Sequence, residues 1–161
     1  MKKEKPVGVS VFSITQLIFS ILTILIKVIS IIAIIFIIWA PNVQKPVLIK
    51  GLYVIIYGLV FLILVGILGL TASIGTLKGK KWGRKMLILV AIIAIILGPA
   101  DPILGTIISL KANNQTSIPD NEIFSLILTS LWAITKCAYY ISLIVYFNTK
   151  KVKEYYQGES I

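Results

Sequence analysis

The sequence predicts an all-α integral membrane protein, a four-helix antiparallel bundle with both termini in the cytoplasm. Three observations predict it. Of 161 residues, 58% are hydrophobic and 14% charged, and the mean hydropathy is +0.98. Soluble domains run at about 45–50% apolar and about 25% charged, and a chain this short cannot hide the excess in its own core. The charges are bunched so that four apolar runs remain between them, each at least the roughly 20 residues that a spanning helix needs. The cations also alternate in density from loop to loop, as they do in multi-pass chains.

The first span, about 11–39, begins within the 21 uncharged residues between Lys5 and Lys27 and continues through Trp39. The second, about 51–77, fills the 27 uncharged residues between Lys50 and Lys78. The third, about 86–110, carries Asp101 as its one charge, and the fourth, about 123–147, carries Lys136. None alternates polar and apolar positions, which excludes a transmembrane β-barrel. The basic start at Lys2, Lys3 and Lys5 resembles a signal peptide, but the apolar run exceeds the usual ~7–15 residues, so the first helix is expected to be retained. The joining segments 40–50, 77–85 and 111–122 are short, which makes consecutive helices antiparallel neighbours in one domain, 1–161. The fourteen residues after Phe147 are too few for a fold of their own.

Orientation follows from the cations. Lys2, Lys3 and Lys5, then Lys78, Lys80, Lys81, Arg84 and Lys85, then Lys150, Lys151 and Lys153 put eleven on one side, against Lys45, Lys50 and Lys111 on the other. The richer side is expected to be cytoplasmic. Trp82 at one level and Trp39, Tyr53 and Tyr57 at the other suit interfacial belts. Asn114-Gln115-Thr116 in the outer loop is a formal glycosylation sequon, relevant only in a eukaryotic secretory pathway.

Composition removes whole classes of chemistry. The chain has no histidine, so His-ligated zinc, His-bound haem and imidazole acid–base catalysis lose their usual residue. Cys137 is the one cysteine, so no intrachain disulfide or CxxC centre can form. Six acidic residues are a poor supply for a calcium or magnesium cage. The net charge of +10 is read as basic loops facing anionic lipid and not as a nucleic-acid surface. No enzyme activity, metal or cofactor site is expected.

Each span has one polar or small face. In the first it is Ser13, Gln16, Ser20, Thr23, Lys27 and Ser30, spaced alternately three and four. In the second it is Gly58, Gly66, Gly69, Ser73 and Thr76. In the third it is Ala91, Ala94, Gly98, Asp101 and Gly105, and in the fourth Ser125, Thr129, Trp132, Lys136 and Tyr140. Small residues let helix backbones approach and hydroxyls bond between them, so a compact bundle is expected, with a water-filled path as the competing reading. Lys27, Asp101 and Lys136 fall at similar depth near the membrane midplane, where each charge costs about 2.5–3.5 kcal/mol on insertion scales. The expected arrangement is a charge cluster with Asp101 paired to Lys27, Lys136 or both, as a structural ion pair or as an ion-handling site. Pro99 and Pro102 bracket Asp101, which predicts a kinked third helix or two half-helices. The run Lys78, Lys80, Lys81, Arg84 and Lys85 is a candidate contact for anionic lipid head groups.

Three segments carry a resemblance: Lys5-Pro6-Val7-Gly8-Val9 before the first span, Leu77-Lys78-Gly79-Lys80-Lys81-Trp82-Gly83-Arg84-Lys85 before the third, and the tail Tyr146–Tyr156. Together they resemble a group of small four-span prokaryotic membrane proteins, in which an Arg-Pro pair often stands where this chain has Lys150-Lys151. The resemblance implies location in the cell membrane and topology, and no activity; Lys27, Asp101 and Lys136 are not part of it. The expected function is a non-catalytic structural or accessory membrane subunit, with the bilayer and a second copy or a larger membrane complex as partners. The alternative is a small-ion transporter or channel subunit, for an anion or proton-coupled, that uses the midplane charges.

Overall fold

The computed structural model describes residues 5–40, 45–112 and 120–157, so Lys2, Lys3 and the Asn114 sequon lie outside the described residues. Among these the chain is helical throughout apart from short connections. α1 spans Val7–Ile38, α2 Lys45–Phe61, a π-helical segment Leu62–Ile67, α3 Leu68–Leu77, α4 Lys81–Ala112, α5 Asp120–Phe147 and α6 Lys150–Gln157. Four helical stretches are long and apolar enough to cross a membrane: Val7–Ile38, Val47–Leu77, Lys81–Ile108 and Leu126–Phe147. They overlap the four expected spans to within about five residues at each end; the first three begin a few residues earlier than expected, the fourth begins three residues later, and the flanking lysines Lys45, Lys50, Lys81 and Lys85 are themselves helical.

The turn between α3 and α4 fixes the antiparallel pairing. Gly79 has φ of 73°, a left-handed conformation that favours glycine. The Lys80 N–H donates to the Gly75 carbonyl at 2.9 Å and the Gly79 N–H to the Thr76 carbonyl at 3.0 Å, a Schellman closure of α3. α4 then starts at once, and its Gly83 lies so close to α3 that a Cβ would sit 2.4 Å from the Gly75 carbonyl carbon.

Span two carries the irregularity that was expected in span three. Its two α segments are joined through Leu62–Ile67, where the hydrogen bonds run i→i+5, and adjacent Val65 and Gly66 both face the interior. α4, by contrast, is one continuous helix through Pro99 and Pro102, so the half-helix expectation is not realised. Each proline deletes only one N–H from the ladder. Nearby, the Tyr57 hydroxyl of α2 donates to the Leu97 carbonyl and ties that turn to span two.

Packing is uneven along the helices. The buried side chains among the described spanning residues are Val9, Ser13, Gln16 and Ser20 of α1, then those from Phe61 to Thr76 of span two, Leu87 to Ala94 of α4, and Ala133 to Phe147 of α5. These lie between mid-height and the end where α1 starts and α5 finishes; in the other half the glycines Gly51 and Gly58 are buried against α1. Toward the other end, large apolar residues such as Phe36, Ile56, Ile96 and Phe124 are exposed. The compact bundle expected from the full-length stripes is therefore compact in one half.

The packed end is closed by the tail. α6 buries Val152 and Tyr156, and the Tyr156 hydroxyl donates to the Thr76 carbonyl at 3.1 Å. Its Lys150, Lys151 and Lys153 stay exposed. The tail thus adds a short helix to the bundle: the apolar residues at 152 and 156 share one helical face and find a floor there.

Candidate functional site

The six-residue stripe of α1 divides at mid-height. Ser13, Gln16 and Ser20 are 0–1% exposed, whereas Thr23, Lys27 and Ser30 are half-buried. In the buried part, Gln16 Nε2 contacts Ser20 Oγ at 3.4 Å, and the Gln16 amide lies in reach of the Tyr140 hydroxyl on α5. The oxygens Ser13 Oγ and Gln16 Oε1 find no hydrogen-bond partner among the described residues. Gly69 of α3 presses against this group, since a Cβ there would lie 2.6 Å from Ser20 Oγ. Ser73 and Thr76 turn their hydroxyls back to the Gly69 and Ala72 carbonyls, both at 2.7 Å, and so offer no open polar surface.

Above this sealed section the helices part and leave a cavity of about 80 Å3. Its lining comes from Phe19 and Thr23 of α1, Phe61 of α2, and Trp132, Thr135, Lys136, Tyr139 and Tyr140 of α5. Phe61 ends α2 immediately before the π segment, at the middle of span two, and Thr23 and Lys136 stand near the middle of their own helices. α1 and α5 meet through rings: Phe19 lies 5.2 Å from Tyr139 in the cavity wall and Phe12 5.0 Å from Tyr146 below it, centroid to centroid. The cavity is partly open, and Trp132 at its edge is 55% exposed.

Both spanning lysines sit on aromatic faces. The Lys27 ammonium is 5.6 Å from the Tyr57 centroid and 5.4 Å from that of Phe61. Tyr53, Tyr57 and Phe61 stack at centroid separations of 5.6 and 6.0 Å, one helical turn apart. The Lys136 ammonium lies 5.1 Å over the Trp132 ring, one turn earlier on α5. Such contacts contribute about 0.5–2 kcal/mol and rise as water is excluded, which offsets part of the cost of a cation at this depth. Phe61 joins the two environments, because it holds Lys27 and also walls the cavity that Lys136 enters. Asp101 belongs to the continuous α4, and its side chain lies outside the described residues.

The basic run divides into two roles. Arg84 is half-buried and donates from Nε to the Phe147 carbonyl at 3.0 Å, capping the C-terminus of α5. Lys5 does the same for α3, donating to the Leu77 carbonyl at 2.8 Å. Lys78, Lys80, Lys81 and Lys85 remain exposed at that end.

Sequence reasoning singled out Lys27, Lys136, Thr23, Trp132 and Tyr140 but missed Phe19, Phe61, Thr135 and Tyr139. The spacing of Tyr53, Tyr57 and Phe61, four residues apart, was the available signal for the aromatic ladder. No family model, no curated protein and no solved structure matches the chain.

Proposed function

We propose that the chain is a non-catalytic subunit of the cell membrane, a small polytopic protein with both termini and the α3–α4 turn in the cytoplasm. The observation that carries this reading is the buried section of the α1 stripe. Ser13, Gln16 and Ser20 are the polar residues through which a water path would have to leave the bundle at its packed end, and they are 0–1% exposed and pressed against Gly69. That favours helix packing over conduction. The four exposed lysines of the α3–α4 turn, with Lys150, Lys151 and Lys153 of α6, supply a cationic end for anionic lipid, at about 1 kcal/mol per cation near the surface. The membrane-spanning assignment itself is supported by four helices of sufficient length and apolarity.

The transport reading draws on the mid-height cavity and Lys136. Reconstitution separates the two. Purified protein in sealed liposomes is expected to give proton, halide and potassium fluxes no greater than protein-free liposomes. A flux that falls when Lys136 is replaced by glutamine would put the transporter in place of the subunit.

A further inference from the structure

The cations at the packed end of the bundle are not equivalent. Arg84 is spent on the Phe147 carbonyl, and Lys5, at the foot of α1, on the Leu77 carbonyl. Lys78, Lys80, Lys81 and Lys85 are exposed and, among the described residues, enter no hydrogen bond or ion pair. The sequence from Lys78 to Ala100 holds no carboxylate, so the run supplies no counter-charge of its own. Lys81 and Lys85 stand one turn apart on α4, where side chains four residues apart are neighbours, and Trp82 lies between them in the chain. The benzene edge of Trp82 packs on Gly75 of α3, where a Cβ would come within 2.7 Å of the ring, while the side chain as a whole is 51% exposed. Tryptophan in such a setting suits the membrane–water boundary. From Lys85 the same helical face continues through Leu89, Ile92 and Ile96, all exposed. Cation, indole and apolar ridge thus succeed one another along α4 in the order in which phosphate, glycerol and acyl chain succeed one another in a phospholipid. The other ridges lack the free cationic head: that of α1 starts beside Lys5, already bonded, and that of α5 ends on Asn148 and Thr149. A zwitterionic head group would bring a cation of its own to four lysines, whereas an anionic one brings none.

We propose that α4 carries a discrete site for one anionic glycerophospholipid, its phosphate between Lys81 and Lys85, its head group toward Lys78 and Lys80, and an acyl chain along Leu89, Ile92 and Ile96. The site rests on the reading of this end as the lipid-facing cytoplasmic one, and it narrows a general cationic surface to one located position. α6 is not part of it. Val152 and Tyr156 hold α6 to the base of the bundle, Lys150 and Glu154 lie on its opposite face, and that exposed carboxylate offsets one of its three lysines.

Trp82 supplies the readout. In the full-length chain carrying Trp39→Phe and Trp132→Phe it is the one indole left. This protein is placed in phosphatidylcholine bilayers doped with phosphatidylglycerol or phosphatidylcholine brominated near the head-group end of the acyl chains, since bromine quenches tryptophan on contact. Brominated phosphatidylglycerol is expected to reach half-quenching at a mole fraction about tenfold below that of brominated phosphatidylcholine, on the scale that two surface cations supply. The preference is expected to vanish in Lys81→Gln/Lys85→Gln, with quenching by brominated phosphatidylcholine unchanged, which shows the fold and the depth of Trp82 to be intact. It is expected to persist in Lys81→Arg/Lys85→Arg and in Lys150→Gln/Lys151→Gln/Lys153→Gln. Equal half-quenching by the two lipids, or a preference lost equally in both glutamine sets, would overturn the site and leave the lipid-facing end standing. No quenching by either lipid would put Trp82 outside the bilayer and would overturn the site together with the reading on which it rests.

Discussion

At Gly83 a methyl group would sit 2.4 Å from both the Gly75 carbonyl carbon and the Thr76 nitrogen, atoms of a backbone that cannot step aside. Gly83→Ala is expected to destabilise the protein by about 1–3 kcal/mol, as overpacking does. Gly98 is the contrast, because a Cβ there meets nothing within 4 Å. Gly98→Ala is expected to raise stability by about 0.5–1 kcal/mol through the helix preference of alanine. Denaturant unfolding of the two variants in one detergent, followed by circular dichroism, checks both signs together. The cations divide in the same way. Arg84→Met removes a donor from the Phe147 carbonyl at the end of α5 and is expected to cost about 1 kcal/mol. Lys80→Met alters an exposed side chain and is expected to leave the unfolding midpoint unchanged. The sequence marks all five cations of the run as equals. Which of them turns inward depends on where the C-terminus of α5 arrives, a contact 63 residues away in the chain.

Among the elements, α6 and the π segment show what sequence periodicity can and cannot carry. The eight residues of α6 would be marginal in isolation, since short helices do not recover their nucleation cost. Val152 and Tyr156, one turn apart, were legible as an apolar face; the floor that receives them was not. Tyr156→Phe removes the hydrogen bond to Thr76 and is expected to cost about 1 kcal/mol, whereas Tyr156→Ala also empties a buried site and is expected to cost about 3–5 kcal/mol. Thermal unfolding of the two variants against the parent separates the bond from the packing. The π segment lies in Leu-Ile-Leu-Val-Gly-Ile, where every position is apolar or glycine, so one inserted residue leaves no trace in the pattern. Span three errs in the other direction. Pro99 and Pro102 signalled a break, yet the helix continues, with the Tyr57 hydroxyl bonded to the turn beside them.

On the scale of the whole molecule, the four spans were legible because charges interrupt apolar runs, and that signal needs no tertiary information. The polar and small stripes were legible as well, and their parts toward the packed end are buried as expected at Ser13, Gln16, Ser20, Gly69, Ser73 and Ala91, whereas Thr129 and Trp132 of the fourth stripe are exposed. Their change of surroundings at mid-height was not. It depends on where α1 and α5 diverge, and the cavity left there draws its walls from residues up to 121 positions apart, from Phe19 to Tyr140. A sealed half below an open half is the central feature of the molecule. Cysteine accessibility tests it most directly, in a Cys137→Ala background carrying Ser13→Cys, Ser20→Cys or Lys80→Cys one at a time. A membrane-impermeant thiol reagent is expected to label Lys80→Cys from one side only, the cytoplasmic one, and to leave Ser13→Cys and Ser20→Cys unmodified from both sides until the protein is denatured. Labelling of Ser13→Cys and Ser20→Cys in the folded protein, from the side that reaches Lys80→Cys, would contradict the account and make the α1 stripe the wall of a water path.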